Sequence, residues 1–224
     1  MTAAARLARE GCASGTVVGA DQQTAGRGRQ GHSWHSQPGM GLYVSVVLRL
    51  ALASDALPLV MLVLGLATQH AIAEATGLAP DLRWPNDALL NGKKCAGILA
   101  QFEGDAVIAG IGINVGHTVF PDELADIATS LRLAGAEVSR EQVLAALLRA
   151  IDDTCRVLAS EGPSAIRAAF TRASSYATGR RVRVALDSEI LEGVTAGLDP
   201  SGFLIVRQDN GTETVILAGG VRPA

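Results

Sequence analysis

Residues 24–39 read TAGRGRQGHSWHSQPG and place Arg27, Arg29, His32 and His35 among four glycines, with no carboxylate. The acid-free stretch is longer still, running from Asp21 to the next acidic residue, Asp55. Glycines let main-chain N–H groups approach an anion closely. Arginines supply forked donors that match phosphate or carboxylate. Trp34 offers a flat face to a base or ring, with packing at the start of a strand as its other reading. Together they describe a mobile cationic loop that closes over a small anion.

Other readings of the loop fail on context. GRGRQG, residues 26–31, fits G-x-G-x-x-G, but the dinucleotide fingerprint requires a helix opening at its end. Here HSWHSQPGMG and a strand pattern follow. No GxxxxGK[ST] occurs anywhere in the chain. His32-x-x-His35 on a loop reads as a solvated pair, so no metal site is expected. Two arginines and one tryptophan are too few for an arginine-glycine nucleic-acid tract. The net charge of −3 and pI near 5.8 argue against a nucleic-acid or anionic-membrane partner.

Further segments share the loop's logic. RWPND, residues 83–87, sets a cation, a rigid proline turn and a carboxylate within five positions. NGKKCAGILAQ, residues 91–101, puts Lys94 just before a strand that contains Gly97. Its neighbour Lys93 reads as a solvated charge. GIGIN, residues 110–114, ends in Asn114.

The elements that must hold these residues follow from periodicity and punctuation. MTAAARLARE lacks an apolar h-region and reads as a short helix ending at Gly11 rather than as a signal peptide. Strands are expected at 15–20 and 41–50, and a buried helix over 58–75. Its most apolar run, 56–67, is too short to span a bilayer. LRWPNDALL, 82–90, is extended and broken by Pro85. Two apolar runs, 95–102 and 106–115, are joined by the hairpin signal Glu103-Gly104-Asp105. Residues 116–126 have no strong period and read as a loop. Ser139-x-x-Gln142 is a capping box opening a helix to about Ala159, and another helix follows Pro163 to about Ser174. From Thr178 the pattern changes to four or five short strands, with turns at Asp187-Ser188, 199–202 and Asp209-Asn210-Gly211. The expected fold is α+β, a mixed, mostly antiparallel sheet with packed helices over 1–177, then a small SH3-like barrel over 178–224. With 224 residues, 48% hydrophobic and 18% charged, the chain supports one ordinary core and a small appendage. Cys12, Cys95 and Cys155 are far apart, odd in number and without a CxxC. That pattern indicates neither a disulfide framework nor a zinc site and fits a reducing cytoplasm.

In this order, GRGRQG…W, RWPND, NGKKCAGILAQ and GIGIN resemble the biotin protein ligases across nearly the whole chain. The resemblance implies a fold like class II synthetases with an SH3-like end, without the helix-turn-helix domain of some members. It implies two steps. Biotin and MgATP give biotinyl-5′-AMP and pyrophosphate; a lysine of a biotin carboxyl carrier protein then takes the biotinyl group and AMP leaves. The loop would shield the acyl-phosphate from water. By the same resemblance Gln23 hydrogen-bonds the biotin ureido ring. Arg27, Gly28 and Arg29 meet the biotin carboxylate and the phosphates. Lys94 bridges carboxylate and α-phosphate oxygens, and Asp87 orients or deprotonates the incoming lysine, a turn cap being its other reading. Gly97, Gly110 and Gly112 leave the floor open for the bicyclic ring. Trp34 and Asn114 stand near the nucleotide. The resemblance admits a homodimer.

The chain departs from the family in places. A Ser-Thr-Asn-like triplet whose hydroxyls bind biotin is expected before the first helix; Met1-Thr2 stands about where it ends. Gln30 and His32 occupy loop positions that are often basic, and Cys95 one that is usually aliphatic. Two rival readings remain: a lipoate or octanoate ligase or transferase of the same fold, and a non-catalytic biotin-binding relative.

Overall fold

The computed structural model describes the chain except residues 51, 53–55 and 187–189 and the side chain of Gln30. The helices are α1 (Thr2–Arg9), α2 (Leu57–Thr76), the one-turn α3 (Asp122–Ala125), α4 (Arg140–Glu161) and α5 (Pro163–Ala173). The strands are β1 (Val17–Ala20), β2 (Gly41–Leu48), β3 (Asp81–Arg83), β4 (Asp87–Leu90), β5 (Lys93–Glu103), β6 (Ala106–Asn114), β7 (Thr178–Ala185), β8 (Ile190–Leu198), β9 (Leu204–Arg207), β10 (Glu213–Ile216) and β11 (Gly220–Pro223). They form a six-stranded sheet, order β1-β2-β6-β5-β4-β3, and a five-stranded sheet, order β10-β9-β8-β7-β11. Every described ladder is antiparallel. The α+β expectation holds, with a small antiparallel sheet where an SH3-like domain is expected.

Alternation along β2 divides the large sheet into two faces. Leu42, Val44, Val46 and Leu48 join the main core with α2 and α4. Val47 and Ile108 point the other way and pack on Ala4, Ala5 and Ala8 of α1. All eight residues of β2 are therefore buried. Helix α2 is apolar all round because it lies between sheet and helix. By length and composition alone it could cross a membrane, yet most of it is buried inside the fold. Gly77 ends it in the left-handed conformation, φ 74°. The capping box of Ser139 and Gln142 is formed in both directions.

The segment 82–90 is extended and broken at Pro85 as expected, and its two halves pair as a hairpin, β3 against β4, about a cis Trp84–Pro85 peptide. One expectation needs correction. Residues 116–126 include α3, and the stretch after it pairs with β5. The turn expected at Asp187-Ser188 lies outside the described residues. The small sheet is tied to the hairpin by Trp84, whose Nε1 donates to the carbonyl of Gly202 at 3.0 Å. Its apolar residues Val182, Val184, Leu204 and Val206 continue the main core.

Candidate active site

The floor of the site is one lateral row of the large sheet. Arg83 pairs with Asp87, Asp87 with Gly97, Gly97 with Gly112, Gly112 with Tyr43, and Tyr43 with Ala20. Directly opposed residues in antiparallel strands share a face. Side chains at both ends of the row therefore rise on the same side, with two bare glycines between them. In the next row Ser45 opposes Gly110, and Gly110 opposes Leu99.

At one end stands a buried charge cluster. Arg83 Nη2 donates to Asp87 Oδ2 at 2.6 Å, and Lys94 Nζ lies 2.5 Å from Asp87 Oδ1. Side-chain exposures are 8% for Arg83, 13% for Asp87 and 29% for Lys94. Burial pushes the Asp87 carboxyl up, but the charges of Lys94 and Arg83 and their hydrogen bonds outweigh it and hold Asp87 below the usual carboxylate range. Two cations against one carboxylate leave a positive surplus in a poorly solvated place. Arg29 adds to it; burial lowers its pKa, and the nearby Asp87 partly restores it. The backbone of Lys94 is pinned on both sides: its N–H donates to Ile127 O at 2.8 Å and its carbonyl accepts from Thr129 N at 2.9 Å. Cys95 turns away from the site, with its thiol pushed up to about 12 by burial.

The cationic loop folds back on itself above this floor. Arg27 bridges to Ser33, Gly28 N–H donates to His32 O at 2.6 Å, and Trp34 N–H donates to Gly26 O at 3.0 Å. Gly26 is required there, since a Cβ would stand 2.6 Å from the Trp34 carbonyl. Arg29 reaches the small sheet and donates to Gly219 O at 3.3 Å.

Two cavities open on the site. The larger, about 240 Å³, is lined by Arg29, His35, Asp87, Asn114, Phe120 and Arg222 among others. The smaller, about 50 Å³, is lined by Gln23, Arg27, Ser45, Gly97, Gly110 and Gly112 among others. Gly28, Trp34, Asn86 and Lys94 line both. The expected site residues are thus brought together and sorted. Gln23, Arg27, Gly97 and Gly112 are on one side, Arg29, Asp87 and Asn114 on the other, and Gly28, Trp34 and Lys94 between. Arg29, expected at both ligands, lines only the larger cavity. Thr2 is exposed on α1, and Met1 packs against Gly110. Asn114 is held by donation from Nδ2 to Thr129 O at 2.9 Å.

Some lining residues escaped the sequence reading. Asn86 sits inside the RWPND motif but was given no role. Gly219 and the first residues of β11, Gly220–Arg222, come from the small sheet's edge, and their sequence signal is the run Gly-Gly-Val-Arg. Phe120 stacks on buried His117, with centroids 5.1 Å apart and planes 12° apart. Burial, then the nearby His35, pushes the His117 imidazole down to about 4. The His117 imidazole behind Phe120 is therefore uncharged at neutral pH.

Chemically, two adjoining cavities with a cation at their junction can take two anionic ligands end to end. The cation at the junction neutralises charge that develops when one attacks the other. Residues 2–117 match the family model described as the biotin/lipoate A/B protein ligase family, and residues 178–221 match the biotin protein ligase C-terminal domain. The bifunctional ligase/repressor of Bacillus subtilis is 37% identical over 222 residues, covering 95% of this chain and 67% of that protein. The biotin–[acetyl-CoA-carboxylase] ligase of Mycobacterium tuberculosis is 35% identical, covering 96% of this chain and 81% of that protein. The biotin protein ligase of Aquifex aeolicus, solved with biotin and ATP, superposes with a TM-score of 0.84 at 32% identity, covering 98% of this chain and 94% of that one.

Proposed function

The chain belongs to the biotin/lipoate A/B protein ligase family, and from that premise we propose how its two cavities carry out the reaction. It is a biotin ligase that uses biotin and ATP, and its protein substrate is a biotin-dependent carboxylase. The finer reading is that the acceptor is a lysine of the biotin carboxyl carrier protein or domain.

Biotin takes the smaller cavity, with Gln23 at the ureido ring and Arg27 near the carboxylate. ATP, arriving with its Mg²⁺ as one substrate, takes the larger cavity. Its base lies toward Phe120 and Asn114, and its phosphates toward Arg29 and Arg222. A biotin carboxylate oxygen attacks the α-phosphorus, a P–O bond breaks and pyrophosphate leaves. Lys94, common to both cavities, sits where negative charge accumulates during that displacement. In the second step the carrier amine attacks the acyl carbon and the acyl–oxygen bond breaks. AMP leaves with the bonding electron pair on its phosphate oxygen, and the amine's proton passes to solvent water. Asp87 orients that amine. A carboxylate held acidic by two cations is a poor proton acceptor at neutral pH, so the orienting role is favoured over the basic one. The three cysteines are all free, which supports the assignment to a reducing cytoplasm.

The observation that carries this reading is the set of residues shared by the two cavities, with Lys94 among them. The test is ATP–pyrophosphate exchange, followed by transfer to a carrier domain. Biotin should drive both. Exchange driven by lipoate or octanoate but not by biotin would transfer the site to the rival acyl substrates, and no exchange with any acid would leave a binding protein only.

A further inference from the structure

The floor glycines, expected to lie open, are covered. A Cβ on Gly97 would stand 2.8 Å from Trp34 Cζ3, and one on Gly112 would stand 2.8 Å from Cε2 and 3.0 Å from Nε1. The indole therefore lies directly on two glycines that face each other across β5 and β6. What remains beside it is about 50 Å³, room for a few waters and far below an ordinary ligand pocket. Lys94 Nζ stands 5.3 Å from the ring centroid.

The two tryptophans of the chain are held differently. Trp84 donates its Nε1 hydrogen to Gly202 O at 3.0 Å, as buried indoles usually do. Trp34 Nε1 is equally cut off from solvent and has no partner. A donor left dry and unpaired opposes the conformation that buries it. The segment carrying Trp34 is a glycine-rich loop closed by a few main-chain bonds, so the ring can leave without disturbing the sheet. Indole is a fused bicycle close in size to the ureido-thiophane head of biotin, whose ureido ring is flat and whose cis-fused thiophane ring folds away from that plane.

We propose that Trp34 is a specificity-determining self-ligand: its indole occupies the seat of the biotin bicycle over Gly97 and Gly112 until biotin displaces it. This rests on the biotin reading above. A ligand must replace the contact area of a fused bicycle to hold the loop open. A linear octanoyl chain, or the single small dithiolane ring of lipoate, covers less of that seat, so the exchange selects for biotin over either. The vacated indole frees its N–H for water or ligand and turns its face to the junction at Lys94.

Biotin-driven exchange by the unaltered protein tests the biotin reading alone. The self-ligand is tested by giving the full-length Trp34→Gly chain free indole as the probe. Indole should bind the emptied seat and compete with biotin. At ten times its own dissociation constant it should raise the apparent biotin Kd about elevenfold, and it should do nothing to the unaltered chain. Biotin binding to Trp34→Gly that indole does not weaken would overturn the proposal. A second measurement does not depend on that variant folding. With 5-fluorotryptophan in the otherwise unaltered chain, the resonance assigned to Trp34 by its loss in Trp34→Phe should shift on biotin saturation, while that of Trp84 stays. A Trp34 resonance unmoved by saturating biotin would overturn it equally.

Discussion

The larger cavity is built from segments far apart in sequence, the loop at 28–35, the hairpin at 83–87 and Gly219–Arg222, and it stands open at about 240 Å³. The smaller is built on adjacent rows of one sheet and is nearly filled, by the Trp34 indole over Gly97 and Gly112 and by Met1 over Gly110. On the open side the charged groups are already locked to one another, Arg83 and Lys94 on Asp87 and Arg29 on Gly219. Ligand binding there costs little reorganisation. On the filled side a side chain must leave first. Changes on the open side should therefore spare biotin affinity, and changes on the filled side should act on it.

The largest effect should come from the junction. Lys94→Ala removes a fixed cation from the transferring phosphoryl group, and loss of one such donor costs about 10²–10³ in rate. Biotin-dependent pyrophosphate exchange should fall at least ~10²-fold with the circular dichroism spectrum unchanged. Exchange within a few-fold of normal would remove Lys94 from the chemistry.

The second effect belongs to the open side and depends on pH. His117 is depressed to about 4 in the folded chain, against an ordinary value near 6.5. The unfolded chain binds the extra proton first, so this contribution to stability is whole above about pH 6.5. It is lost as pH falls from about 6.5 to about 4, by at most ~3 kcal/mol. Thermal melts across that range should fall less steeply for His117→Phe. An equal slope in both proteins would show that the imidazole is not held neutral.

The third effect separates the cavities. Gly112→Ala puts a methyl group where the indole or the biotin ring must lie, and overpacking costs roughly 1–3 kcal/mol. In the free protein the methyl group meets the indole, which its loop can lift away, whereas the seated biotin ring has no such freedom. The biotin Kd should therefore rise, by up to about tenfold, with the ATP Kd unchanged. A rise in ATP Kd alone would reverse the assignment of the two cavities.

How much of this was legible in the sequence depends on range. Signals that act within a few residues were readable: the Ser139–Gln142 capping box, the Gly104 turn and the all-round apolar α2 each carry their cause locally. So did the glycine-arginine loop and Lys94, because the chemistry needs those residue types close together. The contact of Arg29 with Gly219 spans 190 positions, and no local pattern announces it. The final strand, Gly220–Pro223, is short and ends in proline, so it reads as a tail until β7 pairs with it. Residues 126–129 look structureless because their order comes from the backbone of Lys94. The covered floor was missed for a further reason: glycine spacing shows where space can be made, not what side chain enters it.

The smallest effect tests whether the small sheet belongs to the open side. Trp84 joins the hairpin carrying Asp87 to Gly202 through a single buried hydrogen bond of 3.0 Å. Trp84→Phe keeps an aromatic ring but leaves the Gly202 carbonyl without its donor, at a cost of about 1 kcal/mol. In a chain of this size that is a fall in melting temperature of about 2–4 °C. Gly219–Arg222, at the start of β11 in that sheet, line the larger cavity, so loosening the tie is expected to disturb them. The ATP Kd should therefore rise a few-fold, while the biotin Kd, set by β5, β6 and the loop, stays the same. Both constants are readable by calorimetry on the same preparation. A lower melting temperature with both constants unchanged would make the small sheet a prop for the hairpin rather than a wall of the nucleotide site. Its arginine would then lose the role given to it here.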